Sequence, residues 1–192
     1  MKQKAAQIMC AAEELFMDRR YHEVTLDEVA AKAGVGKGTI YRYFEDKEDL
    51  YLSTLLTRFD EMVLCLEQMA GEDGDAADML TLARRHVEFV EKRRPLFALL
   101  RSEEVRKAKK EKNLWPKLRK RIHAVHRVYA GTIERGIEEG IYRPEVDPEL
   151  TASFLMGMLR AGGRMFKGET ENLAREAVAV LEEGIATPPD TD

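Results

Sequence analysis

The sequence is poor in the features that mark most other protein classes. Among 192 residues there are only two cysteines, Cys10 and Cys65, far apart in the chain. Two isolated thiols on stretches of helical spacing make neither a disulfide framework nor a metal cage, so no metal site is assigned. Charges interrupt every apolar stretch that approaches membrane-spanning length, so no span and no membrane partner are expected. The opening MKQKAAQIMCAAEELF is amphipathic, with Glu13 and Glu14 inside it, and lacks the continuous apolar core of a secretion signal. A cytoplasmic protein is expected. Alternating β-branched stretches are scarce, and the six prolines and 13 glycines fall between helical segments; this predicts an all-α fold. No repeat, phosphate-binding glycine loop or dinucleotide fingerprint occurs. No nucleophile–base pair, catalytic carboxylate pair or cofactor motif stands out, so no catalytic residue and no cofactor is assigned. Hydrophobic residues at 44% are enough for a sizeable core, which argues against disorder.

What the chain does contain is a succession of amphipathic helices, about nine in all. From about Lys2 to Arg19, Ala5, Ile8, Ala12, Leu15 and Phe16 share one stripe. Asp46, with Asp49 three positions on, reads as the N-cap of a helix that buries Leu52, Leu55, Leu56, Phe59, Val63 and Leu66. After a polar break at 71–74, a helix from about Asp75 to Arg93 turns Leu80, Ala83, Val87 and Val90 inward. Pro95 opens a short helix. Trp115-Pro116 starts a long one with Leu118, Ile122, Val125, Tyr129, Ile133 and Ile137 on its stripe and Gly140 as its stop. Asp147-Pro148-Glu149 combines an N-cap, a first-turn proline and a first-turn acid. Thr170 caps a last helix carrying Leu173, Ala177, Val180, Leu181 and Ile185, and residues 188–192 are expected to be a loose tail.

One stretch is more specific. In TLDEVAAKAGVGKGTIYRYFEDK, from Thr25 to Lys47, Thr25 and Glu28 form a capping box at a helix start. Leu26, Val29, Ala30 and Ala33 follow at helical spacing, and Gly34 suits the left-handed residue that ends a helix. A second helix, Gly36 to Phe44, packs Ile40 and Phe44 inward and leaves Lys37, Thr39, Arg42 and Tyr43 outside. Two short helices joined by such a turn make a helix-turn-helix for the DNA major groove. Lys37 and Arg42 can donate to phosphates or to guanine O6/N7, and Thr39 can hydrogen-bond or touch a thymine methyl. Tyr41 and Tyr43 offer hydroxyls to phosphate oxygens. Gly38 lets backbone approach the duplex.

The run GVGKGTIYRYFEDKEDL resembles the signature of the TetR family of transcriptional regulators. The resemblance implies a three-helix DNA-binding domain, 1–46, and a helical ligand-binding and dimerisation domain, 47–187. It implies that Lys37, Gly38, Thr39 and Arg42 approach bases, while Thr25, Tyr41, Tyr43 and Lys47 fix phosphates of a double-stranded operator. Gly36 stands where many relatives have a small hydroxyl residue, which implies one phosphate contact fewer, and Glu45 where a basic residue is frequent; both departures imply modest affinity or an unusual operator. The resemblance also implies a homodimer formed through the last two helices, for which Phe154, Gly157, Met158, Ala161, Leu173, Ala177, Val180 and Leu181 are the candidates. It implies an effector cavity, with candidate walls Phe89, Leu99, Trp115, His126, Tyr129 and Met158.

Charge does not mark the DNA side. The formal net charge is −4, and residues 1–50 hold 8 Lys/Arg against 10 Asp/Glu. The interface must therefore rest on where charges point, with Glu13, Glu14, Asp18, Glu23 and Asp27 facing away while Lys37, Arg42 and Lys47 face DNA. Residues 84–127 instead carry 16 Lys/Arg against 5 Asp/Glu. That is either a solvated surface or a field that draws extra DNA or an anionic amphiphile, such as a fatty acid or an acyl-coenzyme A. His86, His123 and His126 could form a metal set, but no carboxylate or cysteine cluster supports one. The reading is a ligand-responsive repressor that binds a palindromic operator as a homodimer. The alternative is a ligand-independent DNA-binding or interaction module of the same fold; an enzyme has no support.

Overall fold

The computed structural model describes residues 2–71, 78–98 and 114–185, and nine α-helices lie among them. They are α1 (Lys2–Asp18), α2 (Leu26–Lys32), α3 (Lys37–Tyr41), α4 (Lys47–Met69), α5 (Met79–Lys92), α6 (Arg94–Ala98), α7 (Leu114–Glu138), α8 (Pro148–Met165) and α9 (Thr170–Ile185). A 3-10 turn, Tyr21–Glu23, links α1 to α2. The expected all-α class is what the chain adopts. No helix among the described residues is long and apolar enough to cross a membrane.

The chain divides into two compact units, Met1–Glu61 with Arg93–Arg119, and Met62–Lys92 with Lys120–Asp192. The unit that contains residues 1–46 therefore extends further, to the first half of α4, to α6 and to the start of α7. Its core shows why. Ile8, Ala12 and Phe16 of α1 and Val29 and Ala30 of α2 are buried with Ile40 and Phe44, and the same cluster includes Leu50, Tyr51, Leu52, Leu55, Leu96 and Leu114. Phe16, Tyr21 and Tyr51 form an aromatic triangle with ring centroids 5.6–5.7 Å apart, a separation at which edge-to-face pairs attract. The Tyr51 hydroxyl donates to the Leu96 carbonyl at 2.7 Å, so its buried polar tip is satisfied. Glu13 of α1 receives two guanidinium groups, Arg58 Nε at 2.6 Å and Arg93 Nε at 3.0 Å.

Local chemistry sets the helix boundaries. The α2 capping box forms in full: the Glu28 N–H donates to Thr25 Oγ1, and Glu28 Oε2 accepts from the Thr25 N–H at 2.9 Å. Gly34 ends α2 with φ +62, its N–H on the Ala31 carbonyl, while the Val35 N–H reaches back to Ala30 at 3.0 Å. That pair of bonds satisfies carbonyls the helix would leave orphaned. Helix α3 is shorter than the expected Gly36–Phe44: the N–H groups of Tyr43 and Phe44 both turn onto the Ile40 carbonyl. Asp46 then caps α4 through the Asp49 N–H at 2.7 Å, and Asp49 answers by accepting from the Glu45 N–H at 3.0 Å.

In the second unit α9 packs on α5 and α8. Leu82, Ala83 and Val87 of α5 are buried, as are Val125, Tyr129, Ile133, Leu155, Leu159, Ala174, Val178 and Leu181. Ile122, expected on the α7 stripe, is 39% exposed instead. The predicted caps of α8 form, with Asp147 Oδ1 accepting from the Leu150 N–H at 3.0 Å and Pro148 in the first turn. The expected tail, 188–192, lies outside the described residues.

Candidate nucleic-acid interface

Helix α3 anchors itself by two buried side chains and turns the rest outward. Ile40 is fully buried and Phe44 is nearly so. Lys37, Gly38, Tyr41 and Arg42 are exposed, Thr39 and Tyr43 are partly so, and Tyr41 stands 53% exposed. The Arg42 guanidinium lies over the Tyr43 ring, 5.4 Å from its centroid. Stacking of this kind pre-orders a long side chain that would otherwise lose rotamer entropy on binding. No atom outside the local helix approaches a Cβ placed on Gly38 or Gly36 within 4 Å, so the backbone here is open to a ligand. Six of the eight residues expected to meet DNA, Lys37, Gly38, Thr39, Tyr41, Arg42 and Tyr43, thus belong to one short segment.

The other two are placed differently. The Lys47 ammonium donates to the carbonyls of Tyr21 and Val24, each at 3.0 Å, and sits 4.4 Å from the Tyr21 ring centroid. It closes the segment between α1 and α2 rather than offering a free phosphate donor. The Thr25 hydroxyl is likewise engaged, donating to Glu28 Oε2 at 2.8 Å. Removing Lys47 leaves two carbonyls without their charged donor, a loss of about 2 kcal/mol. Lys47→Ala should lower the denaturant midpoint while leaving the salt slope of DNA binding unchanged. A shallower salt slope at full stability would return Lys47 to the phosphate-binding set.

Electrostatics around α2 were not legible from charge counts. Arg19 donates to Glu28 Oε1 at 2.6 Å, and this bond first, then the Thr25 N–H and hydroxyl, holds the Glu28 carboxyl down to about 2. Asp27 does not face away from the DNA-side cations as expected; its Oδ2 is 2.8 Å from Lys37 Nζ. Neither Arg19 nor Asp27 is singled out by sequence spacing, because the partners are nine and ten residues away.

Of the expected cavity walls, Phe89, His126, Tyr129 and Met158 belong to the second unit and Trp115 to the first. Tyr129 is buried and its hydroxyl lies 3.0 Å from His86 Nδ1. Burial drops the His86 imidazole to about 4, which keeps it neutral at physiological pH. His126 bridges to α8: Nδ1 is 3.0 Å from Glu149 Oε2, and Nε2 is 2.8 Å from both the Glu149 carbonyl and Ser153 Oγ. Phe89 and Met158 are half-buried. Trp115 is 59% exposed, so it is a surface residue and not an interior wall. Leu99 lies outside the described residues. Among those residues no group of three or more His, Cys, Asp or Glu is placed to hold a metal.

The dimer candidates also split by burial. Phe154 is 58% and Val180 61% exposed, Ala161 is exposed, and Gly157 has no side-chain neighbour where a Cβ would stand. Ala177 and Leu181 belong to the chain's own core, and Leu173 packs its methyls onto Gly162. Those three follow the buried side of α9, which faces α5 and α8.

A head in which α2, a tight turn and the short, outward-facing α3 follow one another, continued by a helical body, defines the helix-turn-helix class of DNA-binding regulator. A family model described as "Bacterial regulatory proteins, tetR family" matches residues 8–54. The chain is 31% identical over 190 residues to the HTH-type transcriptional regulator YhgD of Bacillus subtilis (strain 168), across 91% of this chain and 90% of that protein. It is 28% identical over 167 residues to the Fatty acid metabolism regulator protein of the same organism, across 83% and 82% of the two chains. Its fold is similar to the crystal structure of FadR from Bacillus subtilis in complex with stearoyl-CoA, with a TM-score of 0.73, 22% identity, and 94% and 98% of the chains covered. The chain belongs to the TetR family, and it is a DNA-binding transcriptional regulator.

Proposed function

We propose that this regulator is a ligand-responsive repressor that binds a palindromic operator as a homodimer in the cytoplasm, without catalytic activity. The observation that carries the DNA half is the α3 segment, where Lys37, Gly38, Thr39, Tyr41, Arg42 and Tyr43 stand on α3 and the turn that follows it, anchored by Ile40 and Phe44. Lys37 and Arg42 reach base edges, and the tyrosine hydroxyls and the start of α2 near Thr25 meet phosphates. DNA contacts are assigned to 1–46 and the effector and dimer surfaces to 47–187. Two such heads read half-sites about 34–36 Å apart, one turn of DNA.

For the effector we favour a long-chain fatty acid or its coenzyme A ester. A relative is named for fatty acid metabolism and a structure of similar fold was solved with stearoyl-CoA. In this chain residues 84–127 hold 16 Lys/Arg against 5 Asp/Glu, a field suited to an anionic head group. The neutral His86–Tyr129 pair supplies a buried polar tip. The effector acts through its differential affinity for the DNA-competent and released forms of the dimer.

The test is salt-dependent fluorescence anisotropy on the DNA upstream of the protein's own gene. Saturable binding that resists competitor is expected, and Lys37→Ala should weaken it about tenfold or more and relax its sequence preference. Stearoyl-coenzyme A or a long-chain fatty acid should release the duplex. Release by cationic dyes but not by either acyl ligand would overturn the effector assignment, and undiminished binding by Lys37→Ala would remove that residue from the interface.

A further inference from the structure

Asp27 is an acid at bonding distance from the residue that leads α3. It sits in the first turn of α2, and its Oδ2 lies 2.8 Å from Nζ of Lys37, the first residue of α3. Both side chains are in water, 64% and 51% exposed. An ion pair of that kind contributes little to folding. Its effect on an approaching duplex is larger, because phosphates meet a neutral pair where they would otherwise meet a free ammonium. The bond to Asp27 pushes the Lys37 ammonium above its ordinary range. Arg19 and Lys32 are similarly held, by Glu28 at 2.6 Å and Glu14 at 2.8 Å, so the head meets DNA with much of its positive charge already engaged.

We propose that Asp27 is a specificity-determining residue that acts through Lys37: its carboxylate occupies the ammonium until a base edge that sets two acceptors together takes it over. The inference rests on the reading that α3 faces DNA. Off the operator, Lys37 meets phosphate oxygens or base edges that set no paired acceptors in register with it, and these must displace a carboxylate already at bonding distance. A guanine offers O6 and N7 together. Asp27 thus penalises random DNA more than the operator. Specificity is the difference between those affinities, and a genome presents an excess of random sites.

The magnitude follows from counterion release. One additional phosphate contact steepens the logarithmic salt slope by about 0.9, which at roughly 0.1 M salt is an affinity gain of about eightfold per head. Asp27→Asn should show that gain and that steeper slope on a scrambled duplex, with a smaller gain on the DNA upstream of the gene. Asp27→Glu, which keeps the charge and a longer reach, should bind like the native protein. In a Lys37→Ala background the Asp27→Asn gain should disappear, because there is no ammonium to release. The proposal is overturned if Asp27→Asn binds the scrambled duplex with native affinity, or gains equally with and without Lys37, which would make Asp27 a plain repulsive charge. Failure of the underlying reading looks different: Lys37→Ala would then bind the upstream duplex as tightly as the native protein.

Discussion

Replacing Phe154 with aspartate is expected to convert the protein to a monomer and to weaken operator binding by about 100-fold or more. Phe154 is 58% exposed on α8, on a stripe that continues through Leu150, 52% exposed, and Met165, 78% exposed, with the small residues Gly157 and Ala161 between them. The spacing of four, three, four and four residues keeps all five on one face. Val180 of α9 and Phe166 add further exposed apolar surface, at 61% and 53%. Burying an aromatic side chain withdraws some 150–250 Å² from water, at about 25 cal/mol per Å². In a two-fold dimer each substitution occurs twice and a carboxylate would be buried unpaired on both sides. Losing the tether between two heads forfeits an avidity of about 10²–10⁴. Sedimentation at micromolar concentration reads the first effect and anisotropy the second. Because Phe154 lies outside the chain's own core, the circular dichroism spectrum should not change. A variant that still sediments as a dimer would place the interface elsewhere.

How far the fold was legible depends on how local its determinants are. Caps and stops are settled within a few residues, so the Thr25–Glu28 box, the Gly34 terminator and the Asp147-Pro148 start could be read and are present. Burial depends on what covers a helix, and a helical stripe says only that one face is covered. On α4 the expected Leu52 and Leu55 are buried, but so are Leu50, Tyr51 and Thr54, because α1 and α6 also close over this part of the helix. On α9 the apolar residues could not be divided in advance. Ala177 and Leu181 serve the chain itself while Val180, beside them in sequence, points to water.

The site was legible to the same depth. That the α3 segment turns Lys37 and Arg42 outward and leaves Thr39 partly exposed follows from a period of 3.6 and two inward anchors. What could not be read is which cations are spoken for. Lys47 is held by the carbonyls of Tyr21 and Val24, and Lys37 by a carboxylate ten residues earlier. Those partners are neighbours only after the chain turns between α1 and α2 and between α2 and α3. A charge count over 1–50 registers the acids but not their addresses. This is why Asp27, expected on the far side, stands against the residue it was expected to avoid.

Gly136→Ala should destabilise the protein by about 2–3 kcal/mol, against the sign that helix propensity alone assigns. Alanine in a helix interior is ordinarily better than glycine by about 1 kcal/mol. Gly136, however, lies in α7 directly under the ring of Tyr142, and a Cβ there would stand 2.5 Å from Tyr142 Cε2. The ring cannot simply swing aside. Its hydroxyl donates to Glu182 Oε1 at 3.0 Å, its backbone N–H donates to the Gly136 carbonyl at 3.0 Å, and the residue is 7% exposed. Overpacking of a fixed partner costs about 1–3 kcal/mol, and here the ring would also give up its bond to α9. Gly131 supplies the control in the same helix: it is exposed and nothing lies within 4 Å of its would-be Cβ. Gly131→Ala should therefore stabilise by up to about 1 kcal/mol. Urea denaturation of the two variants should move the midpoint in opposite directions with the slope unchanged. If both alanines stabilise, the Tyr142 ring is not seated on Gly136, and the closure of the α7–α8 connection onto α9 would have to be redrawn.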